Sequence, residues 1–524
     1  MFERLKKRMA DLTNGREYKS IFDLNGVPAF NQFYDLGIFP WKMVYRGFYK
    51  PWHVIPAPTI ANPDAKRNLA YLSLGKAVCS ELAGMVWTDQ CDVRVSMAGG
   101  PEDDPLSDFV DHVLRENNFS RKMREAVETA AALGGEALKV WYEPKYDDEG
   151  RVIDGRIRVG YVMADQFVPT AWTNAEVTEG IFVTRQAKDG YYYTKLEWHK
   201  WDGTTYVINN QLYRTQIRRN GAEDQDILGY QYPLAMVYPY LDEETRIEVD
   251  HSLFSYFKTP EANNLDDNSP LGISIYANVM ETLHAIDICF DSFVREFRLG
   301  KKRIIVPARA VQSVVDPATG NRLRYFNATD ETYEALATDD IDSLKIHDNS
   351  VELRVEEHVS ALNAFLNILC LQVGLSAGTF SFDRSSGLKT ATEVISENSK
   401  TYKTVRNFQI QITPAVERLV ESIIDVASLY DVTWEGRPIK ELAAGGYEVK
   451  VSMDDGILQD RQTNIQEGIS LCGAGLMSKY TFLTDPKYGQ NMTDEEARAE
   501  LKRIAEEGRV DVGLLDVMGD NDAI

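Results

Sequence analysis

The stretch that decides the fold is Ile273–Gly300, ISIYANVMETLHAIDICFDSFVREFRLG. Its large apolar side chains recur every three or four residues, at Ile275, Val279, Leu283, Ile286, Phe290, Phe293 and Phe297. This spacing predicts a helix of about 26 residues with one apolar face, roughly 39 Å long at 1.5 Å per residue. Gly300 is expected to end this helix.

A second long helix is predicted beyond a short insert. Its apolar positions repeat the same spacing, at Val355, Val359, Leu362, Leu366, Leu369 and Val373. The insert contains a strand-like RIIVP, a DPATGNR stretch typical of a hairpin connection, and an acidic ATDDID. Two apolar seams on either side of a small insert indicate an antiparallel helical pair with a small α/β cap at its far end.

A polar loop is predicted at the other end of this pair. Gly374–Val394 reads GLSAGTFSFDRSSGLKTATEV, and its three glycines and four serines indicate a flexible connection. A third helix is predicted over Lys389–Tyr430, polar in its first half and more widely apolar in its second. Pro414 lies inside it, and we expect a kink there because proline removes a backbone donor and clashes with the preceding turn.

The remaining sequence mixes helices and strands. Helices are predicted at Ala65–Trp87 and Phe119–Leu133, and a period of two predicts β-strands from there to about Tyr240. A short strand, YEVKVSM, precedes a helical tail. The expected fold class is α+β, and a chain of 524 residues should divide into several domains or subdomains.

Composition excludes some classes of function. A formal net charge of -23 argues against tight, broad binding to nucleic acid, because that binding needs Lys and Arg to displace counterions from phosphate. Five well-separated cysteines without a CxxC pair fit a reduced compartment. We find neither a signal peptide nor an apolar window long enough to span a bilayer, so a soluble protein without a membrane partner is expected.

Common catalytic motifs are missing. The sequence has no GxxxxGK[ST], HExxH, GxSxG or GxGxxG pattern, so no catalytic residue, metal site or cofactor is expected. Paired carboxylates arise by chance among 80 acidic residues. A hydrolase stays open as an alternative, with the aromatic β region binding carbohydrate, carboxylates acting as acid and base, and the loop at Gly374 serving as a lid.

Basic residues form two clusters. One lies where the first long helix meets the insert, at Arg295, Arg298, Lys301, Lys302, Arg303 and Arg309. The other follows the loop and the polar half-helix, at Arg384, Lys389, Lys400, Lys403 and Arg406. The alternative to a functional role is a solvated face, with cations at a helix end that interact with the helix dipole.

The order of these parts resembles the portal protein of tailed bacteriophages, and most of all that of siphophages of the Gram-positive-host type. The resemblance is carried by ALGGEALKVWYE and ADQFVPT in the first part, by NSPLGISIYANVMETLHAIDICFDSFVREFRLGKKRIIVP at the helical pair, and by GLSAGTFSFDRSSGLKTATEVISENSKTYKT at the loop and third helix. It covers roughly Ala65 to Tyr430. The ordered set is diagnostic, whereas no single motif is.

The resemblance implies a portal fold with a wing, an antiparallel helical stem, a clip, a tunnel loop, a long kinked helix and a helical crown. The implied boundaries are a wing at 1–260 to which 431–455 returns, stem helices at 270–300 and 352–374, a clip at 301–351, a tunnel loop at 375–388, a long helix at 389–430, and a crown and C-terminal tail at 456–524.

The implied function is structural and mechanical, not enzymatic. The chain would form a ring, a dodecamer in the virion, at one vertex of the capsid. Double-stranded DNA would be packaged through its channel by a separate terminase motor and later ejected, with weak contacts and no sequence specificity. The implied partners are the terminase large subunit, a head–tail adaptor, scaffolding protein and major capsid protein, with assembly in the cytoplasm of the host bacterium.

Residue roles are implied in the same way. The tunnel loop would comprise Ser376, Gly378, Phe380, Phe382, Arg384, Ser386 and Gly387. Lys389, Lys400 and Lys403 are candidates for the channel surface, because a ring turns each lysine into a ring of lysines that screens phosphate repulsion without fixing the DNA. Which of the three lysines faces the channel stays open. A further alternative to a portal or a hydrolase is a capsid or adaptor protein without a channel.

Overall fold

The computed structural model describes residues 17–60, 62–97, 105–146, 152–174, 176–217, 227–300, 304–305, 312–315, 320, 322–325, 347–348, 352–381, 391–453, 461–485, 488, 492 and 497–504. The chain folds as two compact units. Unit 1 comprises Met1–Ala83, Glu125–Val373 and Ala377–Arg384, and unit 2 comprises Gly84–Arg124, Gly374–Ser376 and Ser385–Ile524.

The helices are labelled in chain order as α1 (Phe39–Tyr45), α2 (Lys50–His53), α3 (Leu74–Val86), α4 (Pro105–Glu116), α5 (Phe119–Leu133), α6 (Met280–Leu299), α7 (Val355–Gln372), α8 (Ala391–Leu429), α9 (Ile439–Ala443), α10 (Arg461–Gly473) and α11 (Lys479–Thr484). Shorter helical turns lie at Ile21–Asp23, Asn31–Phe33, Tyr34–Ile38, Ala164–Gln166, Leu234–Met236 and Ala277–Val279. Residues 497–504 are also helical.

The strands are β1 (Val54–Pro56), β2 (Lys66–Asn68), β3 (Asp92–Met97), β4 (Gly135–Tyr146), β5 (Val152–Met163), β6 (Phe167–Trp172), β7 (Val177–Lys188), β8 (Tyr191–Asp202), β9 (Thr205–Gln216), β10 (Tyr230–Tyr232), β11 (Glu244–Ile247), β12 (Phe254–Lys258), β13 (Ile304–Ile305), β14 (Gln312–Val315), β15 (Arg322–Tyr325), β16 (His347–Asp348), β17 (Thr433–Trp434), β18 (Arg437–Pro438) and β19 (Tyr447–Ser452). The mixture confirms the α+β class.

Two antiparallel sheets form most of unit 1. One has the order β10-β9-β8-β7-β6, with β11 also pairing with β9, and the other has the order β12-β4-β5. Asp189 and Gly190 connect β7 to β8 with φ angles of 51° and 78°, the positive values that a two-residue hairpin turn requires. Phe167, Phe182 and Phe254 pack the two sheets together. The predicted β-rich region is confirmed.

Helices α6 and α7 form the antiparallel pair that the sequence predicts. Near the start of α6, Thr282 donates to Gln372 at the end of α7, with 2.8 Å between Oγ1 and Oε1. Near the end of α6, Glu296 accepts from Arg354, the residue before α7, with 2.9 Å between Oε2 and Nη2. Contacts at both ends therefore fix the opposite directions of the two helices.

Helix α6 is shorter than its sequence pattern predicts, with 20 residues beginning at Met280. The backbone before it makes tertiary hydrogen bonds. Ile275 N–H donates to the carbonyl of Ala131 at 3.0 Å, and the hydroxyl of Thr259 donates to the carbonyl of Ile273 at 2.6 Å. These bonds satisfy groups that a longer helix would have used, so the apolar periodicity continues beyond the helix itself.

The insert between α6 and α7 contains two strand pairs. Its first and last described strands, β13 and β16, pair antiparallel, with Ile304 opposite Asp348. Strands β14 and β15 form the hairpin predicted at DPATGNR, and Gly320 in their connection has a φ of 69°. Lys301, Lys302, Arg303 and the acidic stretch lie outside the described residues.

Unit 2 is built on the long helix α8. After Pro414 its buried side chains include Val416, Leu419, Val420 and Ile423, which confirms the wide apolar stripe predicted there. Helices α4 and α9 and strand β19 pack against this helix. The strand predicted at YEVKVSM is present as β19 and pairs antiparallel with β3.

Candidate functional site

The loop that follows α7 begins with a constrained backbone. Gly374 has a φ of 80°, in the left-handed region, and a Cβ on it would lie 2.5 Å from Oγ1 of Thr404. The same Oγ1 donates to the Gly374 carbonyl at 2.7 Å. Only glycine accepts this φ and this close approach without strain, so the loop starts from a fixed point on α8.

Ser376 is a buried anchor. Its N–H donates to Oγ1 of Thr401 at 2.8 Å, and the Thr401 hydroxyl donates to Oγ of Ser376 at 2.9 Å. Both residues are buried, and so is Leu375, which precedes Ser376. Ser376 was predicted as a residue of the tunnel loop, and the structure places it at the root of that loop, against α8.

The next loop residues contact α7. Gly378 N–H donates to Oδ1 of Asn367 at 3.1 Å, and Gly378 itself is exposed with a φ of 83°. Burial raises the pKa of the Cys370 thiol, and a hydrogen bond with the backbone of Phe380 partly opposes that rise. Phe380 is half-buried. The described part of the loop is therefore held at several points.

Four other predicted loop residues lie outside the described residues, namely Phe382, Arg384, Ser386 and Gly387, and so does the channel candidate Lys389. Their assignment to the loop and to the channel surface stays a prediction.

One face of the first half of α8 is exposed and partly basic. Lys403, Arg406, Asn407 and Ile410 are exposed at helical spacing on this face, whereas Lys400, three positions before Lys403, is half-buried. Val405, Phe408 and Ile412 are buried on the opposite face. The structure thus distinguishes the two lysines, because Lys403 is the more accessible to a charged partner.

Pro414 lies on this same exposed face, and α8 continues through it. Proline has no N–H for the carbonyl of Ile410, which is exposed and can accept from water instead. The hydroxyl of Thr413 donates to the carbonyl of Gln409 at 2.9 Å. The kink predicted at Pro414 stays a prediction.

Two members of the first basic cluster lie within the described residues: Arg295 is half-buried, and Arg298 is exposed in the last turn of α6. Beside it, hydrogen bonds from Arg354 lower the pKa of Glu296 to about 2. The charges of Glu296 and Arg354 therefore form an ion pair that joins α6 to the residue before α7.

Two buried carboxylates on α6 were missed by the sequence reasoning. Asp291 accepts from both terminal nitrogens of Arg67, at 2.8 and 2.6 Å, and from the N–H of Ala70 at 3.0 Å. One turn earlier, Asp287 accepts from the N–H of Leu72 at 2.9 Å. The available signal was two aspartates at i and i+4 in an otherwise apolar stretch.

His53 completes this cluster. The N–H of Tyr49 donates to its Nδ1 at 2.9 Å, so Nδ1 is an acceptor and the ring proton lies on Nε2. Nε2 then donates to Oδ2 of Asp287 at 3.1 Å. We call Asp287, Asp291, Arg67 and His53 the α6 clamp, because together they fix residues 53–72 to the helix.

Substitution within the α6 clamp is expected to lower the stability of the protein measurably. Asp291→Asn is expected to lower the free energy of unfolding by about 2 kcal/mol at pH 7, since Arg67 loses its carboxylate partner. The hydrogen bonds from Arg67 lower the pKa of Asp291, so its contribution is complete above a pH of about 4 and is lost as the pH falls below that value.

Chemical denaturation of both chains at neutral and acid pH measures this effect. The matched control is Asp202→Asn, whose exposed pair with Arg246 should contribute almost nothing. Equal losses for the two variants would contradict the role given to the clamp.

A cavity of about 490 Å³ lies in unit 2 and bears on the hydrolase alternative. Trp87, Cys91, Asp111, Arg115 and Phe119 are among its lining residues. Burial raises the pKa of Asp111, while a guanidinium nitrogen of Arg115 lies 3.6 Å from its carboxylate. This pairing is typical of a structural ion pair rather than a general acid and base.

The carboxylate of Glu197, in the aromatic β region, is paired with cations. Burial alone would raise the pKa of Glu197 on β8, but Lys139, His199 and Lys195 hold it well below its ordinary value. Its carboxylate accepts from Lys139 at 2.7 Å and from His199 at 3.0 Å. Within the described ranges, no group of three or more metal-ligating side chains is found, and no helix has the length and apolarity needed to cross a membrane.

Comparison with known families identifies a matching family model. A family model described as phage portal protein, SPP1 Gp6-like, matches residues 44–513. Comparison with curated proteins gives no match. The class is thus that of structural, non-enzymatic, homo-oligomeric components of the phage capsid, and head–tail connectors in particular. The chain belongs to the phage portal protein family, as its resemblance from sequence indicated, and the hydrolase and non-portal alternatives are set aside.

Proposed function

We propose that this protein forms a ring at one vertex of the capsid and that double-stranded DNA passes through the central channel of the ring. A separate terminase motor packages the DNA, and the same channel later releases it. The terminase large subunit and a head–tail adaptor dock on the ring, and scaffolding and major capsid proteins surround it. The ring is a dodecamer in the virion, assembled in the host bacterial cytoplasm.

The observation that carries the proposal is the exposed apolar surface of the α6–α7 pair. Ile288 and Leu299 lie on one face of α6, and Ile368 and Leu371 lie on one face of α7. About half or more of each side chain is exposed, up to 63% for Leu371. Several exposed apolar side chains on one helix pair are typical of a protein contact, and a second copy of the chain is the natural partner for a homo-oligomer. We call these four residues the stem face.

The proposed parts follow the elements of the fold. Helices α6 and α7 act as the stem, the insert between them as the clip, residues 375–388 as the tunnel loop, and α8 as the long helix. The two sheets of unit 1 belong to the wing. Pairing of β19 with β3 supports the return of residues 431–455 to the wing segment 1–260. The helical tail from residue 456 acts as the crown.

Charge supports a conduit in which DNA slides. A chain of net charge -23 repels phosphate overall, and a few basic side chains per subunit soften that repulsion locally. Strong phosphate contacts would hold the DNA in one register. Lys403 and Arg406, on the exposed face of α8, fit this limited role better than the half-buried Lys400.

Projection imaging of the purified protein tests the proposal. Rings viewed down their axis, with a central opening wide enough for duplex DNA, are the expected result. Monomers, dimers or closed particles without an opening would contradict it.

Reversal of charge on α8 tests the channel assignment. Lys403→Glu is expected to reduce the DNA packaged per capsid more than Lys400→Glu does, because the charge of Lys403 is the more accessible. Ring assembly should be unchanged in both variants. DNA per capsid can be measured by quantitative amplification, and normal packaging by Lys403→Glu would place this residue away from the channel.

A further inference from the structure

Residues 54–60 and 62–68 form a separate hairpin in unit 1. Strands β1 and β2 pair antiparallel from Val54 opposite Asn68 to Pro56 opposite Lys66. Within the part of the chain that the structure describes, neither strand joins another sheet. We call residues 54–68 the arm.

The end of the arm is uncharged and is closed by backbone hydrogen bonds. Ala57 N–H donates to the carbonyl of Ala65 at 2.7 Å, and Thr59 N–H donates to the carbonyl of Asn62 at 2.9 Å. Ile60 lies in the turn that the second of these bonds spans, and it is fully exposed. No residue from 57 to 63 is charged, although 26% of the chain is. The exposed fraction of Ile60 is the highest among the large apolar side chains of the described ranges, and at the end of an uncharged hairpin this indicates a contact outside the subunit.

The base of the arm is held rigidly by the α6 clamp. His53 precedes β1 and bonds to Asp287, whereas Arg67 within β2 bonds to Asp291. Both strands are therefore tied to successive turns of one helix. Such preorganisation reduces the conformational entropy that a contact through the arm would cost.

The position of the stem face on α6 indicates which molecule contacts the arm. At 100° per residue, Ile288 and Leu299 of the stem face lie about a quarter turn around the helix from Asp287 and Asp291. Because the arm and the stem face are attached to the same helix, a neighbouring subunit that binds the stem face has a fixed position relative to the arm. Nucleic acid is a poor partner for the end of the arm, because residues 57–63 offer no cation to phosphate.

We propose that the arm docks on a second copy of the chain, with Ile60 inserted between apolar side chains of that copy. The inference rests on the ring proposed above and adds a second, sequence-distant contact to it. Closure of a ring by heterologous contacts needs two different complementary surfaces on each subunit, and the arm supplies part of one.

Ile60→Asp tests this contact in the full-length protein. Burial of an isoleucine is worth about 1.5–3 kcal/mol, so the variant should need roughly 10 to 100 times more protein to assemble. Sedimentation over a concentration series measures this shift. The matched control is Leu265→Asp, an exposed leucine of unit 1 outside the arm and the stem face, which should assemble like the wild type.

Photo-crosslinking gives a second, independent measurement. A benzoylphenylalanine placed at position 60 should crosslink one chain to another in assembled rings. Wild-type rings together with unshifted assembly of Ile60→Asp, or with crosslinks confined to one chain, would overturn the arm contact and leave the ring intact. A wild-type chain that stays monomeric at all concentrations would overturn both proposals.

Discussion

A chain carrying both Ile288→Glu and Leu371→Glu is expected to fold normally and to fail to form rings. Both side chains are exposed in the single subunit, so the substitutions remove little from its own core. In the ring, each would place an unpaired carboxylate in an apolar contact. Loss of two buried apolar side chains per contact, at about 1.5–3 kcal/mol each, weakens that contact by a factor of roughly 10² to 10⁴.

Light scattering coupled to gel filtration measures the loss of assembly, and circular dichroism with thermal unfolding checks the fold. The matched control is Met236→Glu, which adds a carboxylate at an exposed apolar position of unit 1 far along the chain from the stem face. Rings of normal mass from the double variant would exclude the stem face as a subunit contact and would leave the ring itself in place.

Features of the fold that depend on local periodicity were predictable from sequence. The spacing of apolar residues over Val355–Val373 and after Pro414 reflects which side of a helix is buried, and the structure has helices there. The start of α6 was not predictable in this way. Residues 273–276 keep the helical apolar spacing, but their backbone bonds to Ala131 and Thr259, which are distant in sequence.

The same distinction applies to the candidate site. Glycine and serine content identified a loop after α7. It did not indicate that Ser376 is buried, because Ser376 is hydrogen-bonded to Thr401, which lies 25 positions away. Partners of Asp287 and Asp291 lie more than 200 residues earlier in the chain. A single sequence does not indicate such pairs, since two aspartates within a helix are usually part of a solvated face.

Removal of Phe382–Gly387 is expected to leave ring assembly unchanged and to abolish most DNA packaging or retention. The deletion spares the contacts that hold the loop at its root, from Gly374 to Thr404, from Ser376 to Thr401 and from Gly378 to Asn367. A deletion that begins at Ser376 also removes a buried anchor of α8. It should therefore lower stability as well, and its effect on packaging would be harder to interpret.

Replacement of Phe382–Gly387 by six glycine and serine residues is the matched control, because it keeps the length of the loop and removes the side chains of Phe382 and Arg384. If packaging is lost on deletion and restored by this replacement, the length of the loop is what packaging requires. If packaging is lost in both variants, the side chains of Phe382 and Arg384 are required. DNA per capsid and ring mass are the two measurements. Capsids that contain deleted rings and normal amounts of DNA would rule out a role for this loop in the channel.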